Sequence, residues 1–235
     1  MKRILIMTML ALLTVATSVQ AQFHAGTWSI QPKIGFGSSW MTNQPNLPIE
    51  TEIPDADFEM KKTLFPSFNI GAEAEYQLTD QFSLAAGLNY TLLGGKWKDF
   101  NMTLAKYRYE ITNTRLELGY ITLPILVNYY FTENFAIKTG VQLGYLTNAH
   151  LKSKMTDINL DTKVSDVDAL DESMNNDFNK LDIAIPVGVS YQFSNNWYLE
   201  GKYSFSFTRI NKEKDEDGDM RNNNFLVTLG YKIKL

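Results

Sequence analysis

Residues Phe68 to Leu92 read FNIGAEAEYQLTDQFSLAAGLNYTL, and their alternation decides the fold. Even positions place Phe68, Ile70, Ala72, Ala74, Tyr76 and Leu78 on one face, against Asn69, Gly71, Glu73, Glu75 and Gln77 on the other. After Thr79-Asp80-Gln81 the rhythm resumes, with Phe82, Leu84, Ala86, Leu88, Tyr90 and Leu92 opposite Ser83, Gly87, Asn89 and Thr91. Successive side chains of a strand point to opposite faces of its sheet, so a period of two marks strands with one apolar and one polar face. The two runs make a hairpin around a tight turn.

The same unit recurs along the chain: YQLTDQF is echoed by YYFTENF, entering Phe135, and by YQFSNNW, entering Trp197. The pattern predicts eight strands, at about 27–41, 67–79, 82–94, 114–131, 135–147, 180–193, 197–210 and 223–235. No segment has a convincing 3.6-residue period. The remaining connections, 42–66, 95–113, 148–179 and 211–222, are long and polar. Short and long connections alternate strictly, so turns gather at one end and loops at the other. An even number of antiparallel strands laid out in this way is the plan of an outer-membrane barrel. Most of these strands exceed the roughly 9–11 residues that a tilted strand needs to cross a bilayer. Aromatic residues such as Trp28, Phe131 and Trp197 near the turns, and Trp40, Tyr90 and Phe225 near the loops, fall where headgroup-depth girdles would lie. A soluble eight-stranded barrel with its apolar face inward has the same alternation, and the girdles and one-sided loops argue against it.

The N-terminus agrees with that destination. Lys2 and Arg3, the apolar stretch Ile4 to Val15, and Val19-Gln20-Ala21 have the form of a secretory signal peptide over 1–21. The expected architecture is therefore all-β: an eight-stranded closed antiparallel transmembrane β-barrel over 22–235, with short periplasmic turns and long extracellular loops, in the outer membrane of a Gram-negative envelope. Composition excludes several other classes. The 235 residues are 44% hydrophobic and 20% charged, with no apolar run of about 20 residues, which rules out a helical membrane bundle. A formal net charge of −4 leaves no basic field for nucleic acid. Without cysteine there are no disulfides, thiolate metal sites or thiol nucleophiles.

Tyr120-Ile121-Thr122-Leu123-Pro124-Ile125-Leu126, running on to Tyr129-Tyr130-Phe131, resembles the fourth-strand motif of the PorT-like outer-membrane β-barrel family. The repeated turns and the LGYKIKL ending (Leu229 to Leu235) are similar to the same family. The resemblance implies an eight-stranded outer-membrane barrel with no catalytic residues, and one member of that family belongs to a protein-secretion apparatus. Around this motif the simple alternation breaks. Arg115, Glu117 and Gly119 share odd positions with Ile121, Leu123, Ile125 and Val127, so the face is expected to flip near Tyr120 through a β-bulge. Pro124 and Pro186 each remove a ladder donor, and bulges or a solvated bond are expected there too.

The polar face would be the lumen. It collects Lys33, Arg115, Lys138, Lys202, Lys232 and Lys234 against Glu73, Glu75, Glu117, Asp182 and Glu200. Eight strands leave an interior that side chains just fill. Buried charges there must pair, because an isolated one costs several kcal/mol of desolvation. A plug of paired charges is expected, with no room for a sugar between Glu73 and Glu75. An outer-membrane lipid-modifying enzyme would need a His beside a Ser and an acid. His24 follows the leader, and His150 opens a loop with Ser153 nearby, where Ser and Asp are abundant anyway. Asp215, Asp217 and Asp219 around Gly218 form an oxygen-rich tip of the kind that suits Ca²⁺, but the full twelve-residue loop with its terminal Glu is missing. No cofactor is expected. The expected role is non-enzymatic: a monomeric barrel in contact with outer-membrane lipids, serving envelope structure or presenting its loops to an envelope protein. The alternative is a component of a secretion or transport complex.

Overall fold

The computed structural model describes residues 25–49, 58–212 and 218–235. The leader expected over 1–21, and with it His24, lies outside the described residues, as do Asp215 and Asp217. The described residues contain strands, turns and irregular segments and no helix.

Eight long strands dominate: β1 (Trp28–Thr42), β2 (Phe65–Gln77), β3 (Phe82–Trp97), β4 (Tyr107–Tyr130), β5 (Phe135–Asn159), β6 (Leu181–Gln192), β7 (Trp197–Ser206) and β8 (Arg221–Tyr231). Each pairs antiparallel with its neighbours in sequence. In addition, β1 pairs β8, from Lys33 opposite Gly230 to Thr42 opposite Arg221. Every long strand thus has a partner on each side. Ile233–Lys234 continues the last ladder by pairing Ser29 and Ile30.

Two of the three short turns share one device. The Thr79 hydroxyl accepts from the Gln81 and Phe82 amides at 3.3 and 3.0 Å, and the Thr132 hydroxyl from those of Asn134 and Phe135 at 3.4 and 3.1 Å. A side-chain oxygen that satisfies turn amides removes the need for a longer loop. The third turn instead places Asn196 at φ 67°, a conformation that Asn tolerates better than most residues.

Burial runs opposite to that of a soluble barrel. Glu73 and Glu75 are 1% and 2% exposed, whereas Ile70 and Leu88 on the other face are 50% and 61% exposed. A folded chain gains by hiding apolar surface from water, so this inversion fits only an apolar solvent around the sheet. Ring pairs such as Trp28–Tyr76, Phe82–Tyr129 and Trp197–Tyr231 edge the apolar band at the turn end. Trp40–Tyr203 and Phe68–Tyr90 edge it at the loop end.

Three expectations need correction. First, β4 does not turn over near Tyr120: its even positions, from Thr114 through Leu118 and Thr122 to Tyr130, stay buried throughout. The register shift at Gly119/Tyr120 leaves Thr147 as the extra residue, so the bulge lies on β5. The buried positions of β5 accordingly change from even (Gln142, Leu146) to odd (Ala149, Ser153). A second shift, between Thr112 and Arg115, spans Asn113 at φ 58°. Second, of the two outcomes expected at Pro124 and Pro186 the bulge does not occur: the register runs unchanged past both. That register sets Pro124 across from Gly87 and Pro186 across from Gly140. A Cβ on Gly87 would collide with the Glu73 side chain and crowd the Pro124 ring. Glycine there makes room for both.

Third, the long connections are not simple loops. β4 and β5 reach 24 and 25 residues, and their upper halves pair from Tyr107–Asn159 to Thr112–Lys154. Phe100–Leu104 pairs Tyr107–Ile111 on one flank, and Ser165–Ser173 pairs His150–Ile158 on the other. The result is a four-stranded sheet standing beyond the loop-end girdle. A small hairpin, Leu47–Ile49 with Phe58–Met60, packs beside it, its Phe58 ring 5.6 Å from that of Phe100.

Candidate functional site

The enclosed face changes chemistry with height. Nearest the turns, Glu75 accepts from Lys232 at 2.8 Å and from Asn128 at 3.1 Å, and also bonds Gln31, Ser83 and the Tyr130 hydroxyl. Lys232 also donates to the Tyr130 hydroxyl at 3.0 Å. Two residues further up β2, the side chain of Glu73 is bound by Lys33 and approached by Lys138 at 3.8 Å. Glu200 from β7 accepts from Lys138 at 2.8 Å and has Lys33 and Lys202 at 3.8 Å. Lys138 also lies 5.2 Å from the centre of the Tyr198 ring. Four strands therefore contribute to one cluster of two carboxylates and three ammonium groups, all nearly without solvent contact.

Above that cluster the interior holds hydroxyls and amides. Asp182 accepts from Ser206, Thr208 and Asn222 at 3.0, 2.8 and 3.2 Å, and Asn222 also donates to Tyr120 at 3.1 Å. A cavity beside Asp182, lined by Gln142, Ser204 and Asn224 among others, has a volume of about 10 Å³, no more than one water needs. Higher still, the interior is apolar: Leu93, Leu118, Leu146, Ile210 and Phe178 pack together at 4% exposure or less. The column is charged at the bottom, polar in the middle and oily at the top.

Eight of the eleven charged residues expected on the lumen face are buried there: Lys33, Glu73, Glu75, Lys138, Asp182, Glu200, Lys202 and Lys232. Three are elsewhere. Arg115 and Glu117 point away from the interior, above the apolar band. There Arg115 Nε donates to Glu117 at 2.7 Å and Lys152 reaches Glu117 at 3.0 Å and Asp171 at 3.7 Å. Burial tends to raise the Glu117 carboxyl, but the hydrogen bonds from Arg115 and Lys152 outweigh it and hold it below the usual range. The physical reason for the misplacement is that β4 outruns the membrane, so its outward face turns polar without changing sides. Lys234 is exposed at the end of the chain.

His150 Nδ1 lies 2.8 Å from Asp171 on this same outward face, and a hydrogen bond from His150 and the nearby Lys152 charge lower that carboxyl. The Ser153 hydroxyl points to the opposite face, where it bonds Thr114 at 2.8 Å, so His150 and Ser153 do not form a catalytic pair. Asp219 sits between Arg209 and Arg221, at 3.5 and 3.6 Å. Among the described residues no cluster of three or more His, Asp or Glu side chains is placed to hold a metal. Sequence reading missed the buried tyrosines Tyr120, Tyr130 and Tyr198, whose parity on their strands was the available signal.

Strands with an apolar exterior and a polar, charge-paired interior define a membrane β-barrel. The chain belongs to the outer membrane protein beta-barrel domain family, whose model matches residues 15–212, and it is a protein of the outer membrane. Solved structures similar to it include Ail, the attachment invasion locus protein of Yersinia pestis. That match has 12% identity over 89% of this chain and 100% of that chain, with a TM-score of 0.41. Neisserial surface protein A matches at 12% identity over 88% and 97% of the two chains, TM-score 0.43. The N-terminal β-barrel domain of Pseudomonas aeruginosa OprF matches at 16% over 89% and 98%, TM-score 0.32. No curated protein sequence matches.

Proposed function

We propose that the chain is a small non-enzymatic outer-membrane protein: a closed eight-stranded barrel with a plugged lumen that offers an extracellular sheet to another envelope protein. The β1–β8 ladder supports closure, since it joins the first long strand to the last. The turns and termini would face the periplasm and the loop end the medium. The observation that carries the role is the projecting sheet. Among the described residues, Phe100–Leu104 and Ser165–Ser173 each pair on one side and have no strand on the other. An open strand edge is a template for a partner strand, which main-chain hydrogen bonds would hold. The edge FNMTL carries no charge, so it would accept an extended segment more readily than the edge carrying Asp166, Asp168 and Asp171.

The same edge favours a second reading, an accessory of a secretion or transport complex, in keeping with the resemblance to PorT-like barrels. Either reading is tested by crosslinking in intact cells. A crosslink to one envelope protein should be lost when Thr103→Pro removes an edge donor, and should survive a substitution in the Thr132–Asn134 turn. Crosslinks indifferent to Thr103→Pro would reject the edge as the docking element. Catalysis by the outward His150 is rejected if His150→Ala leaves every envelope-lipid profile unchanged.

A further inference from the structure

The outer wall carries a recess that the barrel itself does not require. It lies where β7 ends below β8, has a volume of about 780 Å³, and opens outward at the loop-end girdle. Its floor is aromatic: Tyr203, Phe205 and Phe207 follow one another on the outward face of β7 and just beyond it, with ring centres 5.9 and 5.2 Å apart. Its upper rim is Arg221, paired with Thr42 and one pleat above the row formed by Trp40, Asn223 and Phe205. Asn223 is fixed there, donating to Thr42 at 2.8 Å and accepting from the Tyr203 hydroxyl at 3.2 Å.

The guanidinium of Arg221 is incompletely used. Its Nε is buried with no hydrogen-bond partner among the described residues. Its Nη2 comes no nearer than 3.6 Å to Asp219, which is also 3.5 Å from Arg209. Charge-assisted hydrogen bonds are about 2.7–2.9 Å long, so among the described residues Asp219 leaves Arg221 short of an acceptor, whereas Arg209 also donates to the Lys212 carbonyl at 3.3 Å. Among the described residues lining the recess, Arg221 and Asp219 are the charged ones, with Arg209 on the far side of Asp219.

We propose that this recess binds the phosphate of a lipid in the loop-side leaflet, with Arg221 on the phosphate and the lipid's upper acyl segment against Tyr203, Phe205 and Phe207. Height argues for a lipid: two and three pleats below Arg221 the outward residues are Phe225 and Val227, both exposed and apolar. A phosphate just above an apolar wall is the arrangement within a membrane lipid itself. Arginine suits it, because its planar fork can bond two phosphate oxygens at once.

The test is native mass spectrometry of the folded full chain in detergent, with phosphatidylglycerol as probe. The wild type should retain one lipid. Arg221→Gln should lower that retention about tenfold, the equivalent of one charged hydrogen bond. Arg221→Lys should fall between the two, because it keeps the charge and loses the fork. Arg115→Gln, on the outward face of β4, should change nothing. Equal retention by wild type and Arg221→Gln would overturn the proposal. So would equal retention of uncharged diacylglycerol, which would make the rings alone the binding element. Displacement of the lipid by millimolar inorganic phosphate would show that the site selects the free ion, and would also overturn it. Altered gel mobility on boiling verifies that each variant is folded.

Discussion

Glu73 has Lys33 on one oxygen and Lys138 at 3.8 Å from the other, and 1% of its surface reaches solvent. Its removal would leave ammonium groups with no water to replace it. Glu73→Ala should therefore cost about 3–5 kcal/mol of barrel stability, the range for a broken buried pair. Glu117→Ala should cost about 0–1 kcal/mol, because its partners Arg115 and Lys152 are each 31% exposed and water can replace the lost contacts. Urea unfolding of both variants in detergent micelles is the comparison, and equal losses would contradict the assignment of inner and outer faces. Glu117 also allows a pH test. Its carboxyl is lowered on folding, so its pairing adds stability above the unfolded carboxylate value and loses it as pH falls through the folded one. The NMR titration midpoint of Glu117 should lie below that of an ordinary glutamate and rise toward it in Lys152→Met. Parity alone assigned most of the interior, because Glu73, Glu75, Lys138 and Glu200 alternate with apolar neighbours inside the membrane. It failed for Arg115 and Glu117, since parity tells which side a residue faces and not what solvent lies there.

The strands were legible wherever lipid lies on one side and packed polar groups on the other. Ser165–Ser173 shows why the projecting sheet was not: all nine residues are exposed, so no period records its two faces. Its existence rests on ladder hydrogen bonds to His150–Ile158, which leave no trace in composition. The apolar interior at the loop end follows a different logic. Leu118 has no solvent exposure and packs among residues from several connections. Leu118→Ala should destabilise by about 2–5 kcal/mol through the cavity it leaves, and should loosen the loop end first. Hydrogen exchange would report this as lost protection around Ala149 and Ile210 while β2 and β3 stay protected. Insertions are best tolerated where few backbone groups are tied down. An epitope placed between Thr162 and Lys163, at the tip between β5 and Ser165, should be labelled on whole cells, and one at Glu133 should not. The reverse result would invert the orientation.

For the whole molecule, ladders on both sides of every long strand predict slow unfolding in detergent, with unboiled and boiled protein migrating differently on SDS gels. The filled interior predicts no open pore. Sustained ohmic conductance of porin size from purified monomer in a planar bilayer would show that the charge clusters part, and would put transport ahead of docking. One consequence of the two-toned β4 concerns the bilayer rather than the protein. Outward residues are apolar from Ile121 to the turn and charged from Glu117 upward. Ten residues at about 3.3 Å each, tilted by about 40°, span about 25 Å, the usual height of an outer-membrane barrel's apolar band. The hydrocarbon of an average membrane is about 30 Å thick, and the bacterial outer membrane is thinner than that. Glu117 and Lys152 cannot sink into thicker hydrocarbon, so lipids of average length must shorten around the barrel. The chain imposes a local thickness on its membrane, and any neighbour with an equally short girth would find its least strained place beside it.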